Sequence, residues 1–231
     1  MKIIHKLLFI FMLFIFNGCS YSAFTSSFTS IFPHDWFYSE PEYIVKAKQD
    51  YEKFKKETNL RKSFKTFEDK RILQDSNTSN TRVTVDISEQ RVRMYVADVV
   101  GLDAPCTTGA KQKLEPNTKV YRDKRTPKGV FPVIGKLQDK RSSIFGKYYC
   151  KDGTCVYTGD KRKFEGSKEG LRYEGASLEN WMRLTGGGIG LHASKYVKRN
   201  PGTNGCVRLP YKVSKTLFRY VRKGMKVTIQ D

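Results

Sequence analysis

The chain has 231 residues, with 43 Lys and Arg against 23 Asp and Glu and a formal net charge of +20. This length allows one ordinary domain with extensions and excludes two full enzymes. Hydrophobic residues make up 39% of the chain and charged residues 29%, which excludes a collagen-like, a repetitive or a wholly disordered protein.

The first residues have the pattern of an export signal. Two lysines precede an apolar run over residues 7–16, and these ten residues are too few to span a bilayer. The run ends in FNGC at residues 16–19, which resembles the lipobox of bacterial lipoproteins and implies a lipid on Cys19. We therefore predict a lipoprotein-type signal peptide over residues 1–18 and a membrane-anchored protein in the periplasm or cell envelope. The alternative is an ordinary signal peptide with an incidental cysteine.

Export also limits the partners of so basic a chain. Nucleic acid lies in the cytoplasm, whereas anionic envelope polymers and lipid headgroups are within reach. We expect no nucleic-acid partner, and solvation of the surface remains the simpler explanation for most of the charges.

Residues 19–80 are predicted to be a tether followed by a helical segment. The stretch to residue 41 is rich in Ser, Thr and Phe without a period. Apolar residues then recur at helical spacing at Tyr43, Ala47, Tyr51 and Phe54, followed by Leu60, Phe64 and Phe67. This pattern predicts one or two amphipathic helices over residues 41–73. The polar residues 75–80 mark the boundary to a domain over residues 81–231.

The domain over residues 81–231 is predicted to be mainly β with few helices, an α+β class. In residues 82–96, β-branched residues alternate with polar ones on both sides of a turn-like Ser-Glu-Gln at residues 88–90. This pattern predicts a hairpin. Further strands are predicted at 130–134, 147–150, 156–158, 189–192 and 226–229, and a helix is predicted over 211–221.

Cysteine usage gives a disulfide prediction and argues against a metal. Cys150 and Cys155 flank an Asp-Gly turn that would bring their strands together, so we predict a hairpin disulfide in an exported protein. Cys106 and Cys206 remain unpaired. The scattered cysteines and the single histidine of the domain give no zinc spacing, so we expect neither a metal nor a cofactor.

That histidine, His192, precedes Cys206 by fourteen residues. A thiol and an imidazole could form a nucleophile and its base, with the thiolate as the reactive form. On spacing alone, a packed core cysteine and a hydrogen-bonded histidine are the simpler explanation of the pattern.

The segment from residue 82 to residue 229 resembles the YkuD-type L,D-transpeptidase domain of bacterial cell-wall enzymes, in several blocks and in the family's order. The blocks are residues 83–91 (VTVDISEQR), 107–109 (TTG), 125–131 (RTPKGVF), 190–192 (GLH) and 203–209 (TNGCVRL). The resemblance implies a YkuD-like β-sandwich or barrel.

The resemblance also implies roles for site residues. Cys206 would be the nucleophile and His192 its base, with an oxyanion hole and site walls formed by Thr203, Asn204, Gly205 and Arg208. Candidates for substrate binding are Trp181, Arg183, Gly190 and Ser194. Cationic neighbours and the imidazole are expected to lower the pKa of Cys206.

One position departs from the family pattern. Asn204 stands where the family usually has a second histidine, and an amide cannot take a proton. We interpret Asn204 as a residue that orients the site while His192 transfers the proton.

The family's substrate is the peptidoglycan stem peptide, whose third-residue carbonyl is attacked with release of the terminal D-alanine. Cross-linking to another stem, hydrolysis by an L,D-carboxypeptidase and attachment to an envelope protein differ only in the acceptor. A non-catalytic peptidoglycan-binding lipoprotein and simple electrostatic adhesion are the alternatives outside the enzyme class.

Overall fold

The computed structural model describes residues 40–115 and 118–231. The predicted signal peptide, the lipidation site Cys19 and nearly all of the predicted tether lie outside these residues. Among the described residues, no helix has the length and apolar character needed to cross a membrane. Residues Tyr43–Asp231 form one compact unit.

The segment before residue 81 packs onto the β-structure. Helix α1 spans Glu42–Glu57, strand β1 Phe67–Glu68 and helix α2 Lys70–Gln74. The helical prediction is therefore correct for residues 42–57 and 70–73 but wrong for Leu60, Phe64 and Phe67. In residues 58–66, which we call the strap, only a single turn forms at Asn59 O, and further carbonyls accept hydrogen bonds from Arg91 and Arg199.

The first sheet has six strands. Five of them follow β1 in the chain: β2 (Thr81–Asp86), β3 (Arg91–Val96), β4 (Val99–Pro105), β7 (Gly129–Pro132) and β13 (Lys226–Gln230). Their spatial order is β1-β4-β3-β2-β13-β7, and only the β2–β13 pair is parallel. Strands β2 and β3 pair antiparallel and form the predicted hairpin. Every second residue of β2 is buried, and this alternation fixes which face of the hairpin packs against the core.

The second sheet has five strands. They are β8 (Gly135–Tyr149), β9 (Cys155–Asp160), β10 (Arg172–Arg183), β11 (Gly190–Ala193) and β12 (Val207–Leu209). Their order is β12-β11-β10-β8-β9, with only β11 and β12 parallel. A small hairpin joins β5 (Lys113–Leu114) to β6 (Tyr121–Arg122), a 3₁₀ turn spans Lys161–Lys163, and helix α3 spans Tyr211–Tyr220.

The two sheets pack face to face around one hydrophobic core. Val83 and Val85 of the first sheet, Leu191 and Leu209 of the second, and Leu217 of α3 are all at most 2% exposed and belong to the same cluster. Burial of such side chains contributes roughly 1.5–3 kcal/mol each. The prediction of a mainly β sandwich with few helices is confirmed.

The predicted disulfide between Cys150 and Cys155 is not formed, and both cysteines are free thiols. Strand pairing puts Cys155 opposite Tyr149, while the amide of Cys150 donates to Thr154 O at 2.8 Å. Neighbouring positions of a strand point to opposite faces. The two thiols therefore lie on opposite faces of the hairpin, and the prediction failed by one residue of register.

A buried ionic cluster lies beneath α1. We call it the Asp103 cluster. The Asp103 carboxylate is fully buried and accepts hydrogen bonds from Arg91, which is also fully buried, from Arg93 at 2.9 Å and from the Tyr51 hydroxyl at 2.8 Å. Burial and the charge of Asp103 raise the pKa of Tyr51. Each charge of the carboxylate and the two guanidinium groups thus has a partner, as buried charges require.

Candidate active site

The register of the second sheet brings the key side chains onto one face. Parallel pairing puts His192 of β11 beside Arg208 of β12, and antiparallel pairing of β10 with β11 puts Trp181 opposite His192. The alternating residues Leu191 and Leu209 point into the core. His192, Arg208 and Trp181 therefore share the face that looks away from the core.

Cys206 precedes β12 by one residue, on the same face as Arg208. Continuing the parallel register aligns Cys206 with Gly190, two positions before His192 on the neighbouring strand. At ordinary strand spacing and rise, the Cα atoms of Cys206 and His192 are then about 8 Å apart, within reach of a thiol and an imidazole. The Cys206 thiol itself lies 3.6 Å from Gly188 O, to which it donates.

The hydrogen bond of His192 fixes which nitrogen can act as a base. Nδ1 lies 2.8 Å from Ala193 O, and a carbonyl can only accept, so Nδ1 carries the proton. Nε2 is then left with a lone pair. The side chain is 6% exposed and its ring centroid lies 5.9 Å from that of Trp181. Burial lowers the pKa of His192 from 6.5 to about 4, so the imidazole is neutral at pH 7.

Cys206 is in its thiol form. Burial raises its pKa, and the hydrogen bond with the Gly190 backbone and the charge of Arg208 offset only part of that rise. The expected lowering of the Cys206 pKa is therefore not found, because the same packing that shields the site removes the water that would stabilise a thiolate. The resting state pairs a neutral thiol with a neutral imidazole.

The turn before Cys206 is held by Thr203. The Thr203 hydroxyl donates to Cys206 O at 2.5 Å and accepts from the Gly205 amide at 3.1 Å. Gly205 has a φ of +111°, and a Cβ there would lie 2.7 Å from Ile189 Cδ1. The positive φ favours glycine at this position, whereas the end of the Ile189 side chain could shift to admit a Cβ.

Two amides of this turn are available to an oxyanion. The Gly205 amide is engaged by Thr203, whereas the amides of Asn204 and Cys206 have no acceptor within residues 40–115 and 118–231. The side chain of Asn204 also forms no hydrogen bond to the described residues. The contacts that hold this turn therefore come from the Thr203 hydroxyl, and the orienting role that we predicted for the Asn204 side chain stays a prediction.

Thr126 is a site residue that the sequence analysis did not single out. Its hydroxyl donates to Gly205 O at 2.8 Å and accepts from the Gly109 amide at 2.8 Å, and its side chain is buried. Thr126 thus ties the turn before Cys206 to the segment 107–109. The block RTPKGVF contains it, but nothing in that block shows a bond spanning 79 residues.

The segment 107–109 also bonds to the chain directly before and after Cys206. Thr108 O accepts the amides of Gly202 at 2.8 Å and Thr203 at 2.9 Å, and the backbone of Thr107 exchanges two hydrogen bonds with Arg208. The loop between His192 and Cys206 is therefore fixed on both sides before any substrate binds.

The four predicted substrate-binding residues have different surroundings. Gly190 lets β11 approach β10 closely beneath the Trp181 ring, because a Cβ there would lie 2.4 Å from Met182 O and 3.0 Å from that ring. Arg183 donates to the carbonyls of Thr185 and Gly186. The Ser194 hydroxyl accepts from the Tyr196 amide in a local turn. Trp181 and Gly190 thus border the site directly, whereas Arg183 and Ser194 stabilise turns beside it.

No group of three or more His, Cys, Asp or Glu side chains suited to holding a metal ion occurs in the described parts of the chain. The functional groups at and around Cys206 are a thiol, an imidazole, cationic side chains and backbone amides. Such a set can carry out nucleophilic acyl transfer with its own side chains.

A family model described as the L,D-transpeptidase catalytic domain, YkuD, matches residues 80–229. A comparison with curated proteins found no match. Solved structures that are similar include an L,D-transpeptidase from Mycobacterium smegmatis, at 15% identity and a TM-score of 0.45, covering 66% of this chain and 59% of that one. An L,D-transpeptidase from Xylanimonas cellulosilytica matches at 17% identity and a TM-score of 0.48, covering 66% of this chain and 61% of that one.

A mutant L,D-transpeptidase from Enterococcus faecium matches at 23% identity and a TM-score of 0.43, covering 65% of this chain and 50% of the other. The alignments thus span less than two thirds of each of these structures. At these TM-scores the structural similarity adds nothing to the family match.

Proposed function

Because the chain belongs to the YkuD family of L,D-transpeptidase catalytic domains, we propose that it is a peptidoglycan L,D-transpeptidase that forms an acyl-enzyme on Cys206. The observation that carries this proposal is the row of Trp181, His192 and Arg208 beside Cys206 on one face of the sheet. The Nδ1 bond to Ala193 adds a base with its lone pair on the correct nitrogen.

In the first half of the reaction, the Cys206 sulfur attacks the carbonyl of the third residue of the donor stem. His192 Nε2 takes the thiol proton during this attack, because the thiol and the imidazole both start neutral. For this transfer, the thiol hydrogen turns from Gly188 O to His192. The amides of Asn204 and Cys206 donate to the oxygen that becomes negative, and one such donor is typically worth about 3 kcal/mol.

Collapse of the tetrahedral intermediate breaks the peptide bond to D-alanine. The leaving amine takes the proton from the His192 imidazolium, so free D-alanine departs and a thioester remains on Cys206. An amine of a second stem then gives a cross-link, with His192 again accepting a proton and the thiol re-forming. Water in place of that amine gives the L,D-carboxypeptidase reaction, and an envelope protein's amine gives attachment, so these acceptors remain alternatives.

The reaction is tested by incubating the protein with purified disaccharide-tetrapeptide and separating the products. We expect D-alanine release by the wild-type protein and none by Cys206→Ala. Cys155→Ala, which removes an exposed cysteine on the β8–β9 hairpin, is the matched control and should retain the wild-type rate. Dimers identify cross-linking, whereas tripeptide alone identifies trimming. A Cys206→Ala protein that still releases D-alanine contradicts the assignment.

We further propose that the protein is exported and anchored through a lipid on Cys19, which the sequence of residues 1–19 supports. Cys19→Ser should then move the protein from the membrane fraction to the soluble fraction. An unchanged distribution would overturn the anchor without affecting the proposed chemistry.

A further inference from the structure

Arg208 presents a partly buried charge without a counter-ion. It lies on the face of Cys206 and His192, and burial lowers the pKa of its guanidinium. Among the described residues its guanidinium forms no hydrogen bond and no ion pair. A guanidinium carries five donors arranged to bind a carboxylate with two parallel hydrogen bonds.

A second cation reaches the same place from a different part of the chain. Lys113 lies on the β5–β6 hairpin and is half-buried, and its ammonium donates to Gly202 O at 3.1 Å, just before the turn that leads to Cys206. Burial and the charge of Arg208 both lower the pKa of Lys113, so the two cations lie close enough to repel each other. One bond to a carbonyl leaves two of the three ammonium donors of Lys113 for another group.

The nearest carboxylate does not neutralise this pair. The charge of Glu115 acts on Lys113, but the Glu115 carboxylate is already paired with Lys124 at 2.9 Å and with Lys163 at 3.3 Å. Two partly dehydrated cations therefore lie near the turn that leads to Cys206, and neither forms an ion pair within the described residues. This arrangement is unfavourable until an anion binds to them.

We propose that Lys113 and Arg208, which we call the cation pair, bind a free carboxylate of the acyl-donor peptide and so select donors that carry this charge. The proposal rests on the proposed acyl transfer and assigns to Lys113 a role in donor specificity. Arg208 supplies the paired donors, and Lys113 supplies a point charge on the opposite side of the carboxylate. Because Arg208 lies two residues after Cys206 on the same face of the sheet, the carboxylate belongs to the residues that flank the scissile bond.

The test compares Lys113→Met with Lys119→Met, which removes an exposed lysine from the same hairpin. Donor stems are prepared with all carboxylates free, with the terminal carboxylate amidated, or with the internal carboxylates amidated. For the free donor, Lys113→Met should raise KM about ten- to a hundredfold, the size expected for losing a charged hydrogen bond. Its kcat should stay nearly unchanged, Lys113→Arg should restore KM, and Lys119→Met should resemble wild type.

Amidation identifies the carboxylate that is bound. Amidating that group should raise the wild-type KM by more than Lys113→Met does, because it weakens the interactions with both cations. It should raise the KM of Lys113→Met by a smaller factor than that of wild type, since only the interaction with Arg208 remains in the variant. Equal KM values for Lys113→Met and Lys119→Met would overturn the proposal. It would also be overturned if Lys113→Met lost the same factor with every donor, because that result indicates a structural effect.

Binding measurements separate this proposal from the proposed reaction. Isothermal titration of the free donor into Cys206→Ala protein, with and without Lys113→Met, needs no turnover. If the wild-type protein forms no product but binding still depends on Lys113, the reaction is wrong and the carboxylate site stands. Binding that is independent of Lys113 removes the carboxylate site whatever the activity.

Discussion

Two groups of buried cations in this protein differ in what neutralises them. In the Asp103 cluster, the guanidinium groups of Arg91 and Arg93 bond to one buried carboxylate. In the cation pair beside Cys206, Arg208 and Lys113 have no carboxylate of their own in the described structure. The first group joins the strap and α1 to the first sheet, whereas the second lies near Cys206, where we propose that a donor peptide binds.

This difference distinguishes charges that stabilise the fold from charges that are free to bind a ligand. A buried charge with a complete set of partners is part of the folded structure, and removing one partner leaves the other dehydrated and unpaired. A partly buried charge without partners lowers stability, which makes it a candidate for binding a ligand. Substitutions in these two groups of cations, and at the histidine between Trp181 and Arg208, separate the two kinds of charge.

The largest effect on the reaction rate is expected at His192, the neutral side chain that lies between Trp181 and Arg208 on the second sheet. His192→Ala should lower the rate of acylation by a factor of about 10²–10⁴, the contribution of a general base. Single-turnover release of D-alanine measures it, with unfolding by urea as the control for folding. An acylation rate equal to that of wild type would remove His192 as the base.

Asp103→Asn should destabilise the fold strongly without touching the catalytic residues. Breaking a buried ion pair from one side costs about 3–5 kcal/mol, because Arg91 and Arg93 remain buried with a neutral partner. Asp98→Asn breaks the exposed ion pair with Arg82 and should cost at most about 1 kcal/mol. Urea unfolding of both variants measures the difference, and equal costs would contradict the distinction between the two groups of cations.

The pH dependence of stability reports the burial of His192. Its folded pKa of about 4 lies below the ordinary 6.5, so between these values the unfolded chain binds a proton that the folded chain does not. Its contribution is therefore complete above pH 6.5 and is lost as the pH falls towards 4, by about 3 kcal/mol. The free energy of unfolding that is lost between pH 7 and pH 4 should therefore be smaller by this amount in His192→Gln than in wild type. Identical losses would show that His192 is not buried as a neutral group.

Lys113→Met should have the smallest effect on stability. Removing one of two repelling cations relieves repulsion but also removes the bond to Gly202 O, so the free energy of unfolding should change by less than about 1 kcal/mol. Arg91→Met, which removes a paired cation from the Asp103 cluster, is the contrasting variant and should cost several times more. A large loss of stability in Lys113→Met would assign it a structural role.

Asn204→His tests the departure from the family pattern. The Asn204 side chain forms no hydrogen bond to the described residues, and Thr203 already holds the turn. The rate of D-alanine release should therefore stay similar or rise. A loss of rate comparable with that of His192→Ala would show that the Asn204 side chain itself is needed.

The sequence was informative wherever the pattern is local. The β2–β3 hairpin follows from alternation, and α3 from apolar residues at helical spacing that face the core. Strand β8 was predicted only at its end and β10 was not predicted, because much of each strand is half exposed and lacks a clear alternation of buried and exposed residues.

The site was predictable in its residue types but not in its electrostatics. His192 and Cys206 could be named from the sequence, whereas the raised pKa of Cys206 depends on burial created by distant segments. The bond from Thr126 to Gly205 joins residues far apart in the chain. The disulfide prediction failed because one residue of register decides which face Cys150 occupies.

Acylation of Cys206 by a peptidoglycan stem peptide is the step on which the proposed function depends. Intact mass spectrometry of the protein after brief incubation with disaccharide-tetrapeptide, followed by peptide mapping, detects this acylation. We expect an added mass equal to the donor less D-alanine, located on Cys206, absent from Cys206→Ala and unchanged in Cys155→Ala. A wild-type protein that binds the donor but never gains this mass would rule out the acyl-enzyme and identify a binding module.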